Sequence, residues 1–357
     1  MPYQQNKYID NIKNTLTYPF GNVPDVGSAC QVAPGLLWIR MPLPIALSHI
    51  NLWAIEDGKG WTIVDTGMQT VDTTTAWNKL FAGPLNIGGV KRVIVTHMHP
   101  DHVGMAGWLT RKFNCRLWMT RVEYLTCRTL RGDTGRAAPD DALLFYRTAG
   151  WSEDAIDHYS TRFGNFGKMI HAMPDSYRRL QDKETFLIGT HQWTVVVGQG
   201  HSPEHACLYC PDLKILISGD QVLPKISSNV SVYPIEPDAN PMGEWLASLE
   251  KIKQDVPEDV LVLPAHNEPF YGLHTRIDQL VNSHANAFER LRAALHQPKR
   301  AVDTFPFLFY REINPSDQFQ LGLATGESVA HLNYLIRRGE VIEQLDDNGI
   351  AWYRISS

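Results

Sequence analysis

The run Thr96-His97-Met98-His99-Pro100-Asp101-His102 restricts this chain more than any other stretch, because it sets three imidazoles and a carboxylate in six consecutive positions directly after the apolar Val93-Ile94-Val95. The apolar residues have the composition of a buried strand. Along an extended segment residues two apart point the same way, so His97 and His99 are expected to reach one ion together. Pro100 then turns the chain and leaves Asp101 and His102 past the strand end, facing a second ion. Burying these groups without a cation would leave several polar atoms to satisfy in one small volume, at about 1–3 kcal/mol for each one unpaired. Mixed imidazole and carboxylate donors suit zinc or iron better than calcium or magnesium, which prefer oxygen shells.

Two ions need more donors than one segment supplies, so further His or Asp residues are expected at other strand ends. Three stretches provide them. Trp193-Thr194-Val195-Val196-Val197 leads through Gly198-Gln199-Gly200 to His201, Leu213 to Ser218 ends at Gly219-Asp220, and Val260-Leu261-Val262-Leu263 ends at Pro264-Ala265-His266. In each, a β-rich run delivers one ligand at its tip, as a rigid scaffold does when it presents side chains to a shared site.

Taken in order, His-x-His-x-Asp-His, Gly-His, Gly-Asp and Ala-His resemble the metallo-β-lactamase superfamily and, within it, the seven-ligand pattern of glyoxalase II, over roughly residues 30 to 290. The resemblance implies an αββα four-layer sandwich. It also implies that one divalent ion takes His97, His99 and His201, that a second takes Asp101, His102 and His266, and that Asp220 bridges them. The metals expected are zinc first, with iron or manganese as alternatives. Ile63-Val64-Asp65-Thr66-Gly67 is similar to the family's first motif, which implies that Asp65 accepts a hydrogen bond from a ligand imidazole and fixes its tautomer. The implied reaction is hydrolysis: two close cations ionise a shared water near neutral pH, Asp220 keeps their spacing, and Asp101 orients the nucleophile or receives its proton.

Proteins resembling this ligand set hydrolyse thioesters, lactones, β-lactams and phosphodiesters, so the metals do not name the substrate. A small thioester or ester is the first expectation, a single-strand nuclease the second and a lactonase the third. The resemblance does not extend to the basic and aromatic glutathione-binding residues that glyoxalase II carries near its C-terminus. The short interval between Asp220 and His266 leaves no room for the inserted domain of the large nucleases. Residues 121–190 form a long insertion rich in aromatics and arginines, among them Tyr124, Arg128, Tyr146, Arg147 and Trp151, expected to make a helical cover over the pocket. Lys225, shortly after Asp220, is the candidate substrate contact.

Strands are expected at Leu36 to Ile39, Asn51 to Ile55, Trp61 to Val64 and Arg92 to Val95, with a hairpin turn at Asp57-Gly58-Lys59-Gly60. Helices are expected near 71–82, 103–112, 242–254 and Ile277 to His296. The catalytic unit is then 1–296, and 297–357 reads as a small module. Thr325 would cap a helix that ends at Gly339, and a hairpin over Val341 to Ile355 would follow. That tail resembles the winged-helix end of some superfamily members, expected to pack on the catalytic unit or a second subunit rather than to bind nucleic acid.

The net charge of −5 and pI near 6.3 give no general attraction to nucleic acid. The polar start at residues 1–7 and the lack of a long apolar run suggest a cytoplasmic protein that does not enter membranes. Five cysteines in so long a chain fit reduced thiols, including the pair Cys207 and Cys210.

Overall fold

A computed structural model describes residues 16–44 and 47–356, so the polar start at residues 1–7 lies outside the described residues. Strands β1 Ala29–Ala33, β2 Leu36–Pro42, β3 His49–Asp57, β4 Gly60–Val64, β5 Val90–Ile94, β6 Arg116–Met119 and β7 Arg178–Arg179 form one sheet in chain order. Pairings from β1 to β4 are antiparallel, and those from β4 to β7 are parallel. Strands β8 Thr185–Ile188, β9 His191–Gly198, β10 His205–Cys210, β11 Ile215–Gly219 and β12 Leu261–Pro264 form the second sheet, in which only β11 and β12 run parallel. A last hairpin pairs β13 Val341–Leu345 with β14 Ala351–Ile355.

The helices are α1 Val71–Ala82, α2 Pro100–Val103, α3 Ala106–Phe113, α4 Arg121–Gly132, α5 Asp140–Thr148, α6 Glu153–Arg162, α7 Pro241–Asp255, α8 Leu273–Ala294, α9 Phe305–Leu308 and α10 Gln318–Arg337. Side-chain alternation explains the layering. In β2 and β3, Trp38, Trp53 and Ile55 face the second sheet, whereas Ile39, Leu52 and Ala54 face α1 and α3. In the second sheet Val195, Leu208, Ile217 and Leu263 point inward, while Val196, Cys207, Leu216 and Val262 pack under α7 and α8. Both faces of both sheets are therefore apolar, and a four-layer αββα sandwich satisfies them all.

The expected strands fall in β2 to β5, and Asp57 pairs with Gly60 around Gly58 at φ +64°. Two expectations change. Strand β5 stops at Ile94, so His97 and His99 sit on a bend rather than on an extended segment. Their convergence owes nothing to a strand's period of two. The tail helix begins at Gln318 with Asp317 as its cap, and Thr325 lies inside it, bonded back to the Leu321 carbonyl at 2.8 Å. A threonine inside a helix bonds its hydroxyl back to the carbonyl four residues earlier, so the same side chain that caps a helix start also occurs within one.

The tail shares its core with the rest of the chain. Val329, Leu332, Leu335, Val341 and Tyr353 pack with Trp245, Leu249, Phe288 and Leu291 of α7 and α8, and Lys299 exchanges backbone hydrogen bonds with Tyr353. The insertion leans on the tail as well: Tyr146 and Trp151 are buried with Leu321, and the Trp151 indole donates to Thr325 Oγ1 at 2.9 Å. Thr325→Val keeps the shape but strands that indole N–H. We expect a loss of about 1–3 kcal/mol, read as a lower urea midpoint with an unchanged slope; a shift below about 0.5 kcal/mol would show that the bond does not couple the two segments.

Candidate metal centre

The seven predicted ligands come together from four chain segments. They group as His97, His99, His201 and Asp220, and as Asp101, His102 and His266. Asp220 serves both groups: its Oδ2 lies 3.4 Å from His201 Nε2 and 3.6 Å from His102 Nε2, and its Oδ1 lies 3.5 Å from His266 Nε2. Asp101 Oδ2 lies 3.5 Å from His266 Nε2, and His97 Nε2 faces His99 Nδ1 at 2.9 Å. A tetrahedral ion with bonds of about 2.1 Å holds its donors about 3.4 Å apart, close to most of these separations.

Buried polar atoms without partners point the same way. His102 Nε2, His201 Nε2 and Asp220 Oδ1 are buried and make no hydrogen bond, which is costly unless a cation completes them. Nδ1 of His97, His102, His201 and His266 is engaged in each case. His102 Nδ1 donates to Asp65 Oδ2 at 2.8 Å, His201 Nδ1 to the Asn229 carbonyl at 2.7 Å, and His266 Nδ1 to the His49 carbonyl at 3.0 Å. Thr96 Oγ1 donates to Asp65 and lies 3.0 Å from His97 Nδ1. Four imidazoles thus turn Nε2 inward with a fixed tautomer, as metal ligands need.

The electrostatics are those of a cation site. Burial, followed by the imidazoles of His102, His99, His205 and His201, holds His97 well below the usual histidine range, and burial with His201 brings His99 to about 3. Burial opposes a charge on His102, but Asp65, Asp101 and Asp220 outweigh it and raise its pKa well above that range. His266 is raised in the same way by Asp220 and Asp101. Burial also opposes ionisation of Asp101, yet His102 and His266 bring it down to about 2. The carboxylates of Asp65, Asp101 and Asp220 therefore favour protons on His102 and His266, and a divalent ion would displace those protons.

Local sequence explains how Asp220 is aimed. Gly219 has φ +51°, and a Cβ there would meet His205 Nε2 at 2.5 Å, so only glycine brings the chain this close. The Asp220 N–H then donates to His205 Nε2 at 3.1 Å, and the Ser228 hydroxyl caps the Asp220 carbonyl. His205 was not foreseen. It stacks on His97 at 4.8 Å and lies four residues after His201. Nor was Glu123 of α4, fully buried, whose two oxygens accept the N–H groups of Met98 and Glu204, each at 2.8 Å. It ties the loop of His97 and His99 to the loop of His201.

Lys225 makes an ion pair with Glu268, two residues after His266, at 2.7 Å and lies over the Tyr18 ring. The insertion arginines Arg128 and Arg147 likewise pair with Asp175 and Glu153.

Comparison with known proteins agrees with this geometry. The pattern described as "Metallo-beta-lactamase superfamily" matches residues 46–266, and that of the "Metallo-beta-lactamase-like, C-terminal domain" matches 288–356. The chain belongs to the metallo-beta-lactamase superfamily and is a metallo-hydrolase. A solved beta-lactamase domain protein from Burkholderia ambifaria is 39% identical with a TM-score of 0.87, over 96% of this chain and 98% of that one. The probable metallo-hydrolase YqjP of Bacillus subtilis is 23% identical over 83% of this chain and 91% of its own length. The chicken acyl-coenzyme A thioesterase MBLAC2 is 24% identical over 66% of this chain and 79% of its own length. No helix among the described residues is long and apolar enough to cross a membrane.

Two substitutions test the supports. Glu123→Gln turns one acceptor into a donor against an N–H, and a stability loss of about 1–3 kcal/mol is expected in chemical denaturation. Asp65→Asn sets an amide against the His102 and Thr96 donors, and zinc affinity measured by chelator competition is expected to fall about 10 to 100-fold; an unchanged affinity would remove Asp65 from the site.

Proposed function

We propose that the protein is a dinuclear hydrolase of small acyl thioesters or esters, with zinc as its first metal. The observation that carries this reading is Asp220, whose two oxygens face two separate donor groups at 3.4 and 3.5 Å. Two divalent ions at such a site, when bound, supply an ionised water at neutral pH and polarise the carbonyl under attack. The chain's own residues do the rest. Asp220 keeps the two groups at one spacing, and the bonds from His102, His201 and His266 to Asp65, Asn229 and His49 hold the imidazoles in the form that can bind. Asp101, with 15% of its side chain exposed the most open of the three site carboxylates, would orient the nucleophile or receive its proton. The choice of thioester is supported by the likeness to a relative named as an acyl-coenzyme A thioesterase.

Zinc-loaded protein is expected to hydrolyse short acyl thioesters faster than lactones or phosphodiesters of similar size, and to lose that activity on chelation. Asp220→Ala is expected to lower kcat/KM by on the order of 10³-fold or more, as when a ligand shared by both ions is lost. Phosphodiester cleavage alone, or near wild-type turnover by Asp220→Ala, would overturn the proposal.

A further inference from the structure

We propose that Glu327, on the C-terminal helix α10, is a positioning residue of the metal centre, acting through Asn229 to set which nitrogen His201 turns toward the other donors. The inference rests on the dinuclear reading above. His201 Nδ1 donates to the Asn229 carbonyl at 2.7 Å, and the Asn229 amide Nδ2 donates to Glu327 Oε2 at 2.8 Å. The Asn229 Oδ1 accepts from Ser231 Oγ at 2.5 Å, which orients the amide with its NH2 toward Glu327. The loop itself is clasped by the same helix. The Val232 N–H donates to the Gly326 carbonyl at 3.0 Å, and a Cβ on Gly326 would lie 2.8 Å from Ser231 Cβ and from the Val232 carbonyl.

The physical consequence is specific. A carbonyl held in place keeps the His201 proton on Nδ1 and leaves Nε2 bare, and only a bare nitrogen can bind a cation. If Asn229 drifts, the imidazole can turn or move its proton to Nε2. The tail that follows the catalytic sandwich thereby becomes part of the site, although none of its residues is a ligand.

The test compares Glu327→Ala, Glu327→Gln, Asn229→Ala and the Glu327→Ala/Asn229→Ala double variant in the full chain. Nitrogen-15 spectra of metal-free protein report the His201 tautomer, and competition with a chromogenic chelator reports zinc affinity. Glu327→Gln keeps an acceptor and is expected to match wild type in both. Glu327→Ala is expected to mix the His201 tautomers and weaken zinc binding by about 10-fold, with no added loss in the Asn229→Ala background. Should Glu327→Ala fail to fold, Glu327→Leu keeps the bulk without the acceptor and takes its place. A folded Glu327→Ala with the wild-type tautomer, or a loss that persists undiminished without the Asn229 side chain, overturns the relay. If wild-type protein takes up no zinc, the dinuclear reading falls, and the tautomer spectra still decide the role of Glu327.

Discussion

One carboxylate has to answer two groups of donors at once, and much of the architecture follows from that demand. Asp220 stands at the end of β11 with an oxygen toward each group, and its backbone is pinned on one side by His205 and on the other by Ser228. The approach is possible because Gly219 has no Cβ to strike the His205 ring. Around it, strand ends of both sheets must open at the same edge of the sandwich. The dry interface of Trp38, Trp53, Val195, Leu208 and Ile217 holds the two sheets face to face and so fixes that edge.

Outside the donors lies a second layer of bonds that decides how each imidazole can act. Asp65 is held at φ +61°, an unfavourable backbone for an aspartate, and there it accepts hydrogen bonds from both Thr96 and His102. The remaining partners come from far along the chain: His49 from the start of β3, Asn229 from the loop before α7, and Glu123 from the insertion. The insertion thus supports the site through Glu123. Its aromatic residues Tyr146 and Trp151 pack against α10, and Arg128 and Arg147 make ion pairs with Asp175 and Glu153.

Some of this was legible in the residues. The strands β2 to β5, β9, β11 and β12 show themselves as β-branched and aromatic runs, and all seven donors follow such runs, so their identity could be named from order and spacing. Strands β7 and β8 were not, since two arginines and a short mixed segment carry no alternation long enough to read. The start of α10 was misplaced for a related reason: Asp317 is the cap, but Thr325 offers the same chemistry nearer the apolar face. His205 and Glu123 escaped because a single buried polar residue has no periodic signature; only its partners reveal it.

By itself the sequence determined the chemistry: which side chains can bind cations, that they follow buried strands, and that a large apolar core holds them. These properties are local, set by residue type and by neighbours a few positions away. The tertiary structure alone decided which nitrogen of each histidine faces inward, that His97 and His99 meet on a bend, and that a helix more than a hundred residues downstream of His201 braces its carbonyl partner. Hydrogen bonds of that kind join residues with no relation in sequence, so they exist only once both sheets and the tail have packed.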